Sequence, residues 1–235
     1  MKSHEEKINS LYSRFFKDNK INPKTGRFLY VPIVWKFATL PFIGSRYGSK
    51  DSKKILFVGL DVGRDEDFQR IISIADKRNR VEKLRTLNPH VQGIVLAIQW
   101  LVIKKNRQAI KRARTYRAAI KLSDEAYNFF KSCACLTNLY KFVTEKRKNR
   151  MGSENRTFIL QNNAEEKLLL KEIKILKPDI IVLQGKTFLN KKFEYLLKGL
   201  KKIAAKSKIY YSLHPSFRGR TPPKYLESLK PVTSA

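Results

Sequence analysis

Residues 54–63, KILFVGLDVG, decide the fold. After Lys54 come Ile55, Leu56, Phe57 and Val58, an unbroken apolar run. A strand buried on both faces has this pattern, whereas a half-exposed strand alternates apolar and polar side chains. Asp61 follows just past the carboxyl end of the run, held between Gly59 and Gly63. In open α/β sheets ligands bind at that edge, because loops leaving the strand ends converge there around a crevice. The two glycines lack Cβ atoms, so the backbone can turn sharply and a ligand can approach it. Taken alone, the stretch also fits an ordinary strand-to-helix turn with a capping Asp.

The flanking chain supplies the remaining layers. In residues 4–17, Ile8, Leu11, Phe15 and Phe16 recur at helical spacing. Residues 18–53 are interrupted by Pro23, Pro32, Pro41, Gly26, Gly44 and Gly48 and are expected to be an extended connection, with Lys36, Arg46, Tyr47 and Lys50 on one wall of a basic groove. Beyond Asp61, Phe68, Ile71, Ile72 and Ala75 form a helix face. Asn88-Pro89 opens a predominantly helical stretch, apolar first and then basic through Lys104, Lys105, Arg107, Lys111, Arg112, Arg114 and Arg117. Helix continues over 124–132. CACLTNLYKFV, residues 133–143, is expected to form a second short buried strand ending in Thr137-Asn138, and 144–157 a polar, basic loop. A helix over about 163–176 stops before Pro178, DIIVLQG forms a strand at 179–185, residues 186–201 form a helix, and KIYYSLHPS ends a fourth strand at His214. A short helix starts near Pro222-Pro223. Strands separated by helices indicate a parallel sheet with right-handed crossovers. Four strand ends then deliver Asp61, Asn138, Gly185 and His214 to one edge.

Composition bounds the partner. The 235 residues contain 50 Lys+Arg against 20 Asp+Glu, a formal net charge of +30. Such a chain repels itself without a polyanion, and nucleic acid is the leading candidate because neutralised phosphates release condensed counterions. One domain over 1–235 is expected, with 1–53 as N-terminal helix and wall and 54–235 as the α/β core. Cys133 and Cys135 are too close to staple distant segments, which fits a reducing compartment. His4, His90 and His214 are scattered, and no zinc spacing is present, so neither metal nor cofactor is expected. The opening MKSHEEK carries acids and no apolar core, so no signal peptide is expected. No apolar stretch is long enough to span a bilayer. A cytoplasmic, nucleoid-associated monomer is the expectation.

GLDVG after the first buried strand, LTNLYK after the second, LKPDIIVLQG as the third helix–strand unit and LHPSFRGR after the fourth occur in an order that resembles the uracil-DNA glycosylase superfamily. The resemblance covers most of residues 54–220 and implies a three-layer α/β/α fold with a four-stranded parallel sheet. It implies catalytic roles for Asp61, matching the aspartate that positions water and stabilises a cationic sugar, and for His214, matching the histidine that hydrogen-bonds the departing base. Asn138 matches the asparagine that reads the base edge, and Gly59, Leu60, Gly63 and His90 would complete the base pocket. Ser216, Phe217 and Arg218 match the loop that enters DNA, with Arg220, Lys186 and Arg64 as further DNA contacts.

The chemistry agrees with the resemblance. Breaking an N-glycosidic bond leaves positive charge on the sugar and negative charge on the base, which Asp61 and His214 would meet with fixed groups. A base inside a duplex must first be flipped out, and Phe217 or Arg218 could fill its place. The classical uracil enzymes carry a tyrosine two residues after the aspartate, which blocks C5 substituents; here that residue is Gly63. The mismatch-specific branch has glycine there but asparagine in place of Asp61, so the motif is a hybrid, and two cysteines exclude the four-cysteine iron–sulfur branch. Gly63 therefore admits a C5-modified pyrimidine, and the resemblance extends to superfamily members that remove modified cytosine, hydroxymethylated or glucosylated, from phage DNA, which makes such a base the expected substrate and defence against phage the expected role. Uracil or thymine mismatch repair is the alternative, followed by a catalytically silent DNA-binding module.

Overall fold

The computed structural model describes residues 3–30, 35–38, 40–50, 52–60, 71–83, 89–144, 158–214 and 221–232. Along the chain the elements are α1 (His4–Asp18), β1 (Trp35–Phe37), β2 (Phe42–Ile43), β3 (Ile55–Gly59), α2 (Ile74–Glu82), α3 (Pro89–Ile98), α4 (Arg107–Arg112), α5 (Tyr116–Lys121), α6 (Asp124–Cys133), β4 (Ala134–Asn138), β5 (Phe142–Thr144), α7 (Ala164–Leu176), β6 (Ile180–Gln184), α8 (Glu194–Ile203), β7 (Lys208–Ser212), α9 (Pro222–Glu227) and β8 (Lys230–Pro231).

The quoted strand is the centre of the sheet. β3 pairs in parallel with β4 on one side and β6 on the other, and all five of its residues are buried. Strand order is β2-β4-β3-β6-β7-β8. The four expected parallel strands are β4, β3, β6 and β7; the structure adds an antiparallel strand at each edge, β2 on β4 and β8 on β7. Each addition is two residues long, too short to carry a periodic signal, and Pro231 suits an outermost strand that donates no further ladder bond.

Side chains alternate between the faces, so two apolar layers form. Leu56, Val58, Cys135, Ile181 and Leu183 join α1, α7 and α8, while Ile55, Phe57, Ala134, Ile180 and Val182 join α3, α6 and α9. This is the expected α/β/α sandwich. α1 begins with a reciprocal cap, in which Glu6 N donates to Ser3 Oγ at 3.1 Å and Ser3 N to Glu6 Oε2 at 2.6 Å. Its inner face buries Ile8, Tyr12, Phe15 and Phe16, with Leu11 only partly covered.

Several boundaries differ from expectation. Within 133–143 the buried strand ends at Asn138 as expected, but Cys133 closes α6, and β5 leaves to pair antiparallel with β1 in a separate two-stranded sheet. The long basic helix is broken, because α3 ends in a π-helical turn, Gln99–Ile103, and Lys104 (φ 67°) and Asn106 (φ 54°) are left-handed. The helix expected from residue 186 begins as 3₁₀ turns, Lys186–Leu189 and Lys191–Phe193, after Gly185 at φ 145°. Of the expected groove wall, Lys36 is 1% exposed and Tyr47 7%, the latter edge-on against His4 at 5.7 Å; only Arg46 and Lys50 face outward. The helix face expected after Asp61 is not formed as such: α2, capped by Ser73, starts only at Ile74, Ile71 and Ile72 precede it, and Ala75 is exposed; Phe68 and the 145–157 loop lie outside the described residues.

Candidate active site

The first parallel strand in sequence, β3, has the second, β4, on one side and the third, β6, on the other, so the strand order reverses at β3. Ligand crevices in open α/β sheets form outside the carboxyl ends at such a point. Here Gly59 lies in register with Asn138, and the ladder continues beyond the strands: Leu139 N donates to Gly59 O at 2.9 Å and Tyr140 N to Leu60 O at 2.8 Å. Asn138 is half-buried. Thus the β4 motif is tied to the backbone immediately preceding Asp61.

The remaining strand ends join this edge in turn. A Cβ at Gly185 would come within 3.2 Å of Leu60 Cδ1, so glycine allows the β3 and β6 ends to meet. Gly185 N donates to Ser212 O at 2.9 Å, linking β6 to β7. The segment carrying His214 is held from below, with Leu213 N donating to Ser228 Oγ at 3.0 Å next to α9. His214 meets His90, the second residue of α3, ring edge to ring face, with centroids 5.2 Å apart and planes at 71°. Burial, then the neighbouring His214 and Lys77, lowers His90 from 6.5 to about 3. Its ring is therefore uncharged at neutral pH and places no cation beside His214.

Of the residues expected at the site, the structure brings Gly59, Leu60, Asn138 and Gly185 onto one edge and sets His90 against His214. Lys186 is exposed on the turn after β6. Asp61, Gly63, Arg64, Ser216, Phe217, Arg218 and Arg220 lie outside the described residues.

Sequence reasoning missed the support beneath Asn138. Lys141 Nζ, in a residue only 3% exposed, donates to Glu172 Oε1 at 2.8 Å, Thr137 Oγ1 at 2.9 Å and Tyr12 Oη at 3.1 Å. Thr137 Oγ1 in turn donates to Glu172 Oε2 at 2.7 Å, and the Tyr12 hydroxyl to Glu172 Oε1. Lys141 N donates to Glu165 Oε2 at 3.0 Å, while Glu165 Oε1 accepts from Ile159 N at 2.6 Å and Leu160 N at 3.3 Å. Burial pushes the Glu165 carboxyl upward, against the opposing pull of those N–H donors. Burial and then the Glu172 charge raise the Tyr12 phenol well above its usual value. One signal was available: Glu165 and Glu172 share the face of α7 that carries Leu168, Leu169, Ile173 and Leu176.

Among the described residues no cluster of His, Cys, Asp and Glu could hold a metal ion, and no helix is long and apolar enough to cross a membrane. Comparison with curated proteins finds no match. The family profile of the uracil DNA glycosylase superfamily matches residues 45–233 of the 235, a span that takes in every strand end described above. The chain belongs to the uracil DNA glycosylase superfamily, whose general activity is that of a DNA glycosylase.

Proposed function

We propose that this protein flips a pyrimidine out of DNA and hydrolyses its N-glycosidic bond, acting on a base larger than uracil at C5. Asp61 stabilises the cationic sugar and orients a water. Water oxygen bonds to C1′ as the C1′–N bond breaks, the electron pair of that bond leaves with the base, and His214 donates a hydrogen bond to the base oxygen on which the charge gathers. Water's proton ends on solvent or base, leaving an abasic sugar. Asn138 reads the base edge, and Gly63 leaves room beside C5 where a tyrosine would close the pocket. Ser216, Phe217 and Arg218 enter the duplex, and Arg64, Lys186 and Arg220 hold phosphates.

The observation that best supports this is the register of Asn138 with Gly59, two residues before Asp61, at the point where strand order reverses. Asn138 at the end of β4, level with the β3 end that leads into Asp61, supports a reaction needing recognition and charge stabilisation within one nucleotide. Gly63 is compatible with modified cytosine of phage DNA as substrate, and genome defence is the role such a substrate implies.

Base release measured by mass spectrometry tests the assignment, using DNAs with uracil, thymine opposite guanine, and phage DNA with modified cytosine. The expected outcome is release of a modified base, lowered on the order of a hundredfold or more by Asp61→Asn with DNA affinity retained. Release of uracil alone would assign the chain to repair and remove the argument from Gly63. Tight binding without release of any base would leave a DNA-binding module.

A further inference from the structure

At the edge of the sheet opposite the strand ends discussed above, a cavity of about 310 Å³ opens between the starts of β6 and β7 and the turn that ends α3. β6 and β7 are each five residues long, which separates the two edges by about 15 Å at 3.3 Å per residue. Five cations line the cavity: Lys53, Lys104, Arg107, Lys206 and Lys208. The single acid among its residues, Asp179, already accepts Lys54 N at 2.7 Å. None of the four lysines enters an ion pair among the described residues. Like charges gathered in a concavity repel one another, and low-dielectric walls focus their field outward.

This basic pocket has a firm frame. Lys104 N donates to Gln99 O at 2.7 Å, and Gln99 Nε2 to Lys105 O at 2.8 Å, closing the π-helical turn. Arg107 donates to the Trp100 carbonyl and stacks over the Trp100 ring at 4.7 Å. Two non-glycine residues, Lys104 and Asn106, stay left-handed beside it. Such conformations persist only where the surroundings over-determine them, and π turns recur at functional sites. Leu101, Ile180 and Tyr210 add apolar and aromatic lining, so the volume and lining match a small anionic ligand with a flat or apolar portion.

We propose that this pocket is a second anion site, distinct from the strand-end crevice, that takes a phosphate ester. A backbone phosphate of a second nucleic-acid segment and a free nucleotide offer the same chemistry. Because the whole chain is basic, the test must separate the pocket from net charge. Inorganic pyrophosphate is titrated calorimetrically into the wild type, into Lys104→Glu/Lys206→Glu, and into Lys17→Glu/Lys24→Glu, which alters net charge equally at exposed positions outside the pocket. The pocket pair is expected to weaken binding about tenfold or more and the control pair by less than about twofold, as a local rather than diffuse charge requires. Lys104→Gln/Lys206→Gln, with its thermal unfolding recorded, gives the same comparison should charge reversal disturb folding. Native mass spectrometry with a short duplex identifies the source. Two duplexes on the wild type and one on the pocket variant indicate a second nucleic-acid segment; one duplex on both, with pyrophosphate binding still pocket-dependent, indicates a free nucleotide. Equal weakening by pocket and control pairs, or no binding by the wild type, overturns the proposal. Binding is read without base release, so this result is independent of the excision assignment.

Discussion

On the face covered by α3, α6 and α9 the sheet meets a helix of Ile94, Val95, Leu96, Ala97 and Ile98, all with no exposed surface, whereas the face covered by α1 and α7 holds an ammonium, a carboxylate, a phenol and a hydroxyl in mutual contact. The apolar layer gains stability roughly in proportion to area removed from water and needs no particular partner. The polar layer is favourable only while every member is satisfied, since a buried charge without its partner costs more than the pair returns. Each layer carries a different part of the crevice. Lys141 and Thr137 flank Asn138 in sequence, so the polar layer holds the β4 end; α3 starts at the His90–His214 contact, so the apolar layer holds that side.

The contrast breaks first, and most visibly, at Glu172. Replacing it with Ala leaves the Lys141 ammonium buried and unpaired, with an expected loss of about 3–5 kcal/mol in chemical denaturation. Removing both charges, as in Glu172→Leu with Lys141→Met, should recover most of that loss; a double variant as unstable as the single one would show that the ring itself, not the orphaned charge, carries the stability. On the other face Ile94→Ala should cost about 3 kcal/mol from lost transfer and a cavity, with no dependence on salt or pH.

A smaller effect separates the layers by pH. Unfolded His90 titrates near 6.5 and folded His90 near 3. Between those values the unfolded chain binds the extra proton, so this contribution is complete above about 6.5 and is lost as pH falls toward 3. The residue as a whole keeps some contact with solvent, so about 1 kcal/mol is expected, read as a shallower pH–stability slope in His90→Gln than in wild type. Identical slopes would mean that the contact with His214 does not exclude water. Last, Glu194→Gln removes the exposed i,i+4 pair with Lys198 (2.7 Å) on α8 and should leave the melting temperature unchanged.

Much of this was legible locally. The apolar run of β3, the helical spacing of Ile8, Phe15 and Phe16 in α1 and the Asn138 and His214 strand ends are patterns of a few neighbouring residues, and the structure bears out the elements they imply. The π turn after Ile98 and the two left-handed residues beyond it were not legible, because Lys104 and Asn106 carry no glycine signal and their conformation is held by Gln99 reaching Lys105. Nor was the burial of Lys36, Lys141, Glu165 and Glu172: a charged residue is assigned to solvent by default, and only a partner brought from elsewhere in the chain reverses that.

By itself, then, the sequence determined the class of fold, the order along the chain of the four parallel strands, the charge that calls for a polyanion and the motifs at the strand ends, since periodicity and turn chemistry act over a few residues. Tertiary structure alone decided that β4 lies beside β3 so that Asn138 faces Gly59, that Tyr12 and Lys141, 129 positions apart, meet around Glu172, and that His90 lies against His214. Strand order and buried polar contacts are set by which distant surfaces together exclude water and satisfy each other's hydrogen bonds, and no local pattern encodes that choice.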